Sequence, residues 1–152
     1  MGARLAPDMF PLATQVRFAC LQAHEAVYRL RHEPLPSALN ILLEEGRNGG
    51  TRPGTIAEAL SRIDETLSFI ANAQPAAIDT GAVQPLSLAL PMGLTFDLTS
   101  GTQYARDWAL PQFYFHIVTA YAILRNRGIE LGKANYVAHM FPFLRQAAGG
   151  AG

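Results

Sequence analysis

Residues 55–70 read TIAEALSRIDETLSFI, and this stretch carries the clearest helix signal in the chain. Thr55 and Glu58 match a capping box, in which each side chain accepts a hydrogen bond from the other residue's backbone amide. Apolar residues then recur at steps of three and four, the spacing that lines up one face of a helix. They are Ile56, Leu60, Ile63, Leu67 and Ile70. The stretch therefore predicts an amphipathic helix that ends near Asn72, before Pro75.

Two longer helices are predicted on either side of this one. The first runs from about Pro11 to Arg31 and is stopped by the prolines that begin at Pro34. Its polar positions are Arg17, Gln22 and Arg29. The last helix runs from about Pro111 to Arg127, with Gly128 as the residue that ends it. Residues 102–109 are expected to form a preceding turn or two, joined to this helix through a kink at Pro111.

The pattern changes in two segments between these helices. Residues 35–53 contain many helix breakers, so a long, mobile connection is expected, although Ala38–Glu45 could make a short helix. Residues 86–98 read LSLAL, PMG and LTFDL, which alternates apolar and polar residues on both sides of a Pro-Gly turn. This alternation predicts a β-hairpin. Because two strands alone are marginally stable, the hairpin is expected to lie against the helices.

The composition indicates one folded domain. The chain has 152 residues, of which 49% are hydrophobic and 16% are charged. A single helical domain is expected over residues 1–145, followed by a disordered tail at 146–152. The charged fraction is below the usual value of about 25%, which leaves few charges to keep the surface of a monomer polar. This composition favours a surface that is shared with another chain.

Charge and hydropathy exclude several classes of partner. Twelve basic residues balance twelve acidic ones and are not concentrated in any stretch, so no nucleic-acid interface is expected. The most apolar run, Phe113–Leu124, is shorter than the roughly 20 residues that cross a bilayer. The N-terminal residues lack the continuous apolar stretch of a signal peptide. Together with the single cysteine, Cys20, these features predict a cytoplasmic protein without a membrane partner.

Two of the four histidines fall on apolar stripes of the predicted helices. His24 lies four residues after Cys20 in the first helix, and His116 lies between Phe113 and Ala120 in the last. One interpretation is that His24 and His116 converge inside the bundle and bind a divalent metal. The alternative, which we favour, is two hydrogen-bonded core histidines. Cys20 is interpreted as a buried, inert thiol because it lies mid-helix among apolar neighbours.

Two segments resemble a known family closely. They are ARLAPDMFPLATQVRFAC at residues 3–20 and ALPQFYFHIVTAYAILRNRGIELGKANY at residues 109–136, and residues 55–70 fit the same family. The chain resembles an uncharacterised bacterial family of unknown function within the DinB/YfiT-like superfamily. The resemblance implies a mainly α fold, a DinB-like up-and-down helical bundle, with the small β-hairpin before the last long helix. It also implies a groove that binds a metal in many relatives.

The resemblance also bears on the metal ligands. In the superfamily one histidine comes from the second helix and an H-x-x-x-H pair comes from the last. Here His116 lies on the matching last helix, with Ala120 where its partner histidine would be, and His24 lies on the other matching helix. The candidate ligands of a zinc or nickel ion are therefore His116 and His24. Catalytic residues and a small-molecule ligand are not identified.

Relatives generally carry a further helix before the segment that matches ARLAPDMF, and this chain begins at that segment. Without that first helix the bundle is expected to leave an apolar groove open, which an upstream segment or a partner chain would cover. Residues 137–145 could fill part of it. Two functions follow: a binding or self-associating module, expected to be a homodimer, and a DinB-like metal-dependent enzyme or thiol transferase. We favour the first because the set of metal ligands is incomplete.

Overall fold

The structure is a computed structural model that describes residues 1–145; the predicted disordered tail at 146–152 lies outside the described residues. The helices are α1 (Leu12–Leu30), α2 (Leu39–Arg47), α3 (Ile56–Ala71), α4 (Pro75–Ala82), α5 (Gly101–Tyr104), α6 (Leu110–Asn126) and α7 (Lys133–Tyr136). The strands are β1 (Leu86–Ala89) and β2 (Thr95–Leu98). Short 3₁₀ turns cover Pro91–Gly93 and Ala138–Phe143, and a π-helical turn covers Ala105–Ala109.

Helix α1 is the centre of the molecule. Helices α2, α3, α4 and α6 all pack against it, whereas the other helices make few contacts with one another. The predicted mainly helical fold with one hairpin before the last long helix is confirmed. Because α1 is shared, the neighbouring helices stand around it with clefts between them. Two of these clefts lie on either side of α3.

Helix α2 corrects the expectation of a long, mobile connection at residues 35–53. It begins one residue later and ends two residues later than the short helix Ala38–Glu45 that the sequence left open, and it packs along α1. Leu39 and Leu42 are buried in a cluster with Cys20 and Leu21 of α1. Burial of these leucines stabilises a short helix that its own sequence would leave marginal. The glycines at and after the end of α2 therefore did not prevent a helix from forming there.

Helix α3 begins with the predicted capping box. The backbone amide of Thr55 donates to Glu58 Oε2 at 2.6 Å, and the amide of Glu58 donates to Thr55 Oγ1 at 3.1 Å. Its apolar stripe lies outside the core for most of its length. Ala59 and Thr66 are the buried residues of α3, whereas 68% of Ile56 is exposed. The stripe lies beside the core and forms one wall of an open groove.

The predicted hairpin is confirmed, with an antiparallel register that pairs Leu86 with Leu98. Gly93 turns the chain with a φ of +74°, a conformation that favours glycine. One face of the hairpin covers a second core cluster, which contains Leu86, Leu88, Tyr104 and Ala109. The hairpin is therefore stabilised by the helices beneath it, as expected.

The predicted irregularity before Pro111 is a π-helical turn rather than a simple kink at the proline. Helix α5 continues through residues 105–109 into α6, and the amide of Leu110 donates to Ala105 O, five residues earlier. Proline has no amide hydrogen, so the extra residue falls where the helical hydrogen-bond pattern is already interrupted. Helix α6 ends as predicted, with Gly128 at a φ of +81°. Within residues 1–145, no helix has both the length and the apolar character needed to cross a bilayer.

Candidate functional site

An open groove lies between α3 and α6, with α1 as its floor. It encloses a cavity of about 180 Å³ and, within residues 1–145, is lined by no charged residue. The floor consists of Val16, Ala19, Cys20 and Ala23; the walls are Ile63, Leu67 and Ile70 of α3 and Phe113, Ile117 and Ala120 of α6. We call this site the apolar groove. It corresponds to the open groove that the sequence predicts.

The spacing of residues in α3 explains why this wall is apolar. At about 100° per residue, Ile56, Leu60 and Leu67 fall within roughly 40° of one another around the helix. The two buried residues, Ala59 and Thr66, lie roughly 90° away, on the side that meets α1. The small residues let α3 approach α1 closely, and the large apolar ones are left pointing along the edge of the groove.

Large apolar side chains stay exposed along both edges of the groove. Six of them form what we call the groove rim: Ile56, Leu60, Leu67 and Ile70 of α3, and Leu110 and Tyr114 of α6. Single exposed apolar residues are normal on protein surfaces, but a contiguous row of them marks an interaction site. The apolar groove and its rim are therefore a candidate binding surface.

Cys20 lies on the floor of the apolar groove. Its side chain is buried, as predicted, and it is free of any disulfide. Burial raises the pKa of the Cys20 thiol, and a hydrogen bond with Thr66 opposes this effect only in part. The neutral thiol therefore predominates at neutral pH, which disfavours reactivity.

His116 is buried where α6 crosses α1. Its Nδ1 lies 2.8 Å from Gln15 Oε1, and the ring meets Phe18 edge-on at 5.4 Å. The amide of Gln15 is oriented by its other end, because Nε2 donates to Phe10 O at 3.2 Å. Burial lowers the pKa of His116, so the neutral ring predominates at pH 7.

His24 lies on another side of α1, against α3. Its ring stacks on Phe69 with centroids 4.2 Å apart and an interplanar angle of 21°. Burial lowers the pKa of His24, and the nearby carboxylate of Glu65 raises it by a smaller amount. His24 also lines a cavity of about 200 Å³ between α2 and α3. The ring is therefore half-buried beside polar groups, away from the apolar groove.

The structure does not bring the two predicted metal ligands together in one chain. His116 binds Gln15, and Gln15 precedes His24 by nine residues, which is two and a half helical turns and about 14 Å along α1. The two histidines therefore lie on opposite sides of α1. In residues 1–145 no three His, Cys, Asp or Glu side chains are grouped so that they could hold a metal ion. Within one chain, therefore, His24 and His116 do not form a metal site. A metal bound by both histidines stays a prediction from the sequence.

A polar cleft, which the sequence did not predict, lies on the other side of α3, between α2 and α3. An ion pair spans it, in which Arg62 Nε of α3 donates to Glu45 Oε2 of α2 at 3.0 Å. Arg17, assigned above to a polar position on the first helix, is buried beneath this pair. The cleft encloses about 560 Å³. Its side chains come from three helices far apart in sequence, so no local motif signalled it.

The chain matches a known protein family over most of its length. The family model described as a domain of unknown function (DUF1993) matches residues 1–137. The chain belongs to the DUF1993 family. The resemblance seen in the sequence is thereby confirmed, and DUF1993 is placed within the DinB-like superfamily by a solved structure.

That solved structure is a DinB family member protein from Shewanella denitrificans, determined at 1.83 Å resolution. It is 30% identical to the DUF1993 chain, with a TM-score of 0.68, and the match covers 99% of this chain and 74% of that one. A search of curated proteins finds no match. The comparisons therefore establish the family and the fold of the chain.

Proposed function

We propose that this DUF1993 chain is a binding module that associates with a second copy of itself through the apolar groove. The observation that supports it is the exposed stripe of α3, of which Ile56 and Leu67 leave 68% and 59% of their surface in water. A row of half-exposed leucines and isoleucines on a folded monomer costs free energy that burial against a partner would recover.

The area of the groove rim suits a dimer. Six half-exposed large side chains present apolar surface on the order of 500 Å². A standard interface buries about 800 Å² on each partner, of which roughly 60% is apolar. The rim by itself therefore supplies about the apolar area that one side of a stable interface needs.

The charge distribution favours a second copy as the occupant. The described lining of the apolar groove contains no charged group, so two copies meet there without placing like charges opposite each other. Three of the four charged residues of α3, Glu58, Arg62 and Glu65, line the polar cleft, and the fourth, Asp64, does not line the groove. In a twofold dimer the α3 stripe of each copy enters the groove of the other, which is the self-complementary arrangement of a symmetric interface.

Light scattering coupled to gel filtration tests this proposal. The wild-type chain should elute at twice its mass of 16.5 kDa. Leu67→Glu places a charge in the interface and should give a folded monomer. Leu94→Glu is the matched control, because Leu94 has nearly the same exposure, 57% against 59%, but lies on the hairpin. A well-folded wild-type monomer at about 100 µM, well above the Kd range of specific dimers, would refute the proposal.

A further inference from the structure

The polar cleft between α2 and α3 has a buried cation on its floor. The side chain of Arg17 is only 5% exposed, yet its guanidinium group has weak partners. Nη1 donates to Ala13 O at 3.5 Å, and Nε lies 3.6 Å from Glu45 Oε2. A guanidinium group has five hydrogens to donate, and a buried charge is costly unless it is well paired. Arg17 therefore retains unmet hydrogen-bonding capacity towards the cleft.

The carboxylates around the cleft already have partners of their own. Glu45 binds Arg62 through both oxygens, and Glu65 accepts from Arg62 Nη1 at 2.8 Å. Glu58 accepts the two hydrogen bonds of the Thr55 cap, and Glu44 pairs with Arg47 at 3.0 Å. The group of the lining that lacks a close partner is therefore the Arg17 guanidinium, which would bind a negatively charged hydrogen-bond acceptor.

A second cation and a glycine complete this end of the cleft. Arg52 lines the cleft, and no carboxylate of residues 1–145 pairs with it. Gly54 has a φ of +66°, and a Cβ placed there would lie 2.9 Å from Arg17 Nη2 and 2.6 Å from Glu58 Oε2. Residue 54 therefore places no side chain against the tip of Arg17.

We propose that the polar cleft is a binding site for a small organic monocarboxylate, whose carboxylate lies against Arg17 and Arg52. The planar fork of a guanidinium group matches a carboxylate in two parallel hydrogen bonds. A volume of about 560 Å³ is in the range of small-molecule sites. Ile41 offers an apolar contact for the organic part of the ligand.

The total charge of the lining favours a ligand with one negative charge over a ligand with two. Four glutamates and three arginines line the cleft, a formal balance of one excess negative charge. A dianion such as hydrogen phosphate would meet more repulsion than a monocarboxylate of the same size. Binding therefore depends on the local donors of Arg17 and Arg52 and not on an overall positive field.

Isothermal titration calorimetry of the full chain tests the site with butyrate, with neutral butyramide and with inorganic phosphate. Butyrate should bind saturably at one site per chain, and butyramide should bind at least about tenfold more weakly, because it lacks the charge that pairs with the guanidinium groups. Equal binding of butyrate and butyramide, preferential binding of phosphate, or no heat with butyrate up to about 50 mM would each overturn the proposal.

Four variants locate the binding. Arg52→Gln, at an exposed position, should weaken butyrate about tenfold. Arg17→Lys keeps the buried charge but removes the fork, and Gly54→Ala covers its tip, so both should weaken butyrate at least as much. Arg127→Gln, an exposed control beyond α6 and outside the lining, should bind butyrate like the wild type. Unchanged binding in Arg52→Gln and in a folded Arg17→Lys would overturn the proposal.

Discussion

His116 Nδ1 of α6 lies 2.8 Å from Gln15 Oε1 of α1, and the two residues are 101 positions apart in the chain. Because the oxygen of an amide only accepts, Nδ1 must carry the hydrogen and donate it. Gln15 in turn donates from Nε2 to Phe10 O. The contact therefore fixes the neutral ring of His116 as the tautomer with its hydrogen on Nδ1. Through Gln15 it also links the crossing of α1 and α6 to the N-terminal segment.

Removing the Gln15 amide should destabilise the fold. Gln15→Leu keeps much of the volume but leaves the Nδ1 hydrogen of buried His116 without an acceptor. We expect a loss of about 1–3 kcal/mol in the free energy of unfolding, measured by urea denaturation. In a double-mutant cycle, adding His116→Phe should recover part of this loss, since the unpaired donor is then gone. Additive effects of the two substitutions would show that the hydrogen bond is unimportant.

The burial of His116 should make stability depend on pH. Burial lowers its folded-state pKa below the ordinary histidine value of about 6.5, so the unfolded chain binds the proton more tightly. As the pH falls below about 6.5, the unfolded state gains protons first and the free energy of unfolding decreases. The decrease has a slope of at most about 1.4 kcal/mol per pH unit and stops below the folded pKa, where both states are protonated.

Substitution separates the two buried histidines in this experiment. His116→Gln should reduce the slope between pH 6.5 and 5, and His24→Gln should reduce it further, because burial lowers the pKa of His24 too. Burial raises the pKa of the Glu25 carboxyl group, which acts in the opposite direction as the pH falls. A slope that survives in the His24→Gln, His116→Gln double variant would have to come from other groups.

Local signals in the sequence were sufficient to predict the elements whose caps and turns are formed by neighbouring residues. The capping box of α3, the alternation of the hairpin and Gly128 at the end of α6 were each predicted, because neighbouring residues determine them. Helix α2 was only the alternative to a mobile connection, because Leu39 and Leu42 become core residues only when α1 supplies Cys20 and Leu21 as their partners.

The same limit applies to the candidate sites. Periodicity placed His116 on an inward stripe but could not identify Gln15, a neutral residue 101 positions away, as its partner. It grouped Ile56 and Leu67 on one face, yet could not show that Ala59 and Thr66 occupy the contact with α1. Arg17 was read as a polar position, and its burial follows from α2, the helix that was not expected.

Gly81 of α4 should tolerate no side chain. A Cβ at this position would lie 1.6 Å from the carbonyl oxygen of Leu30, and this backbone atom cannot move aside cheaply. Gly81→Ala should therefore cost about 3 kcal/mol or more, despite the higher helix propensity of alanine. Gly132→Ala is the control, because its nearest neighbour would be Asn135 Oδ1 at 3.8 Å. Equal thermal stability of the two variants would contradict the close packing of α4 on α1.

Metal analysis checks the histidine environments directly. Protein purified without a His tag should contain zinc and nickel at well below one ion per chain, because residues 1–145 supply no group of three His, Cys, Asp or Glu side chains that could hold a metal ion. His116→Gln should leave the metal content unchanged. Stoichiometric metal that is lost in His116→Gln and in His24→Gln would instead support the shared site predicted from the sequence.

Cys20 can report on whether the apolar groove is covered. The thiol lies on the groove floor, and its raised pKa already slows alkylation at neutral pH. If a second copy fills the groove, the labelling rate with excess iodoacetamide should fall as the protein concentration rises through the dimer dissociation constant. Leu94→Glu should keep this dependence, whereas Leu60→Glu, on the rim away from Cys20, should remove it. A rate that is independent of concentration in the wild type would mean that association leaves the groove open.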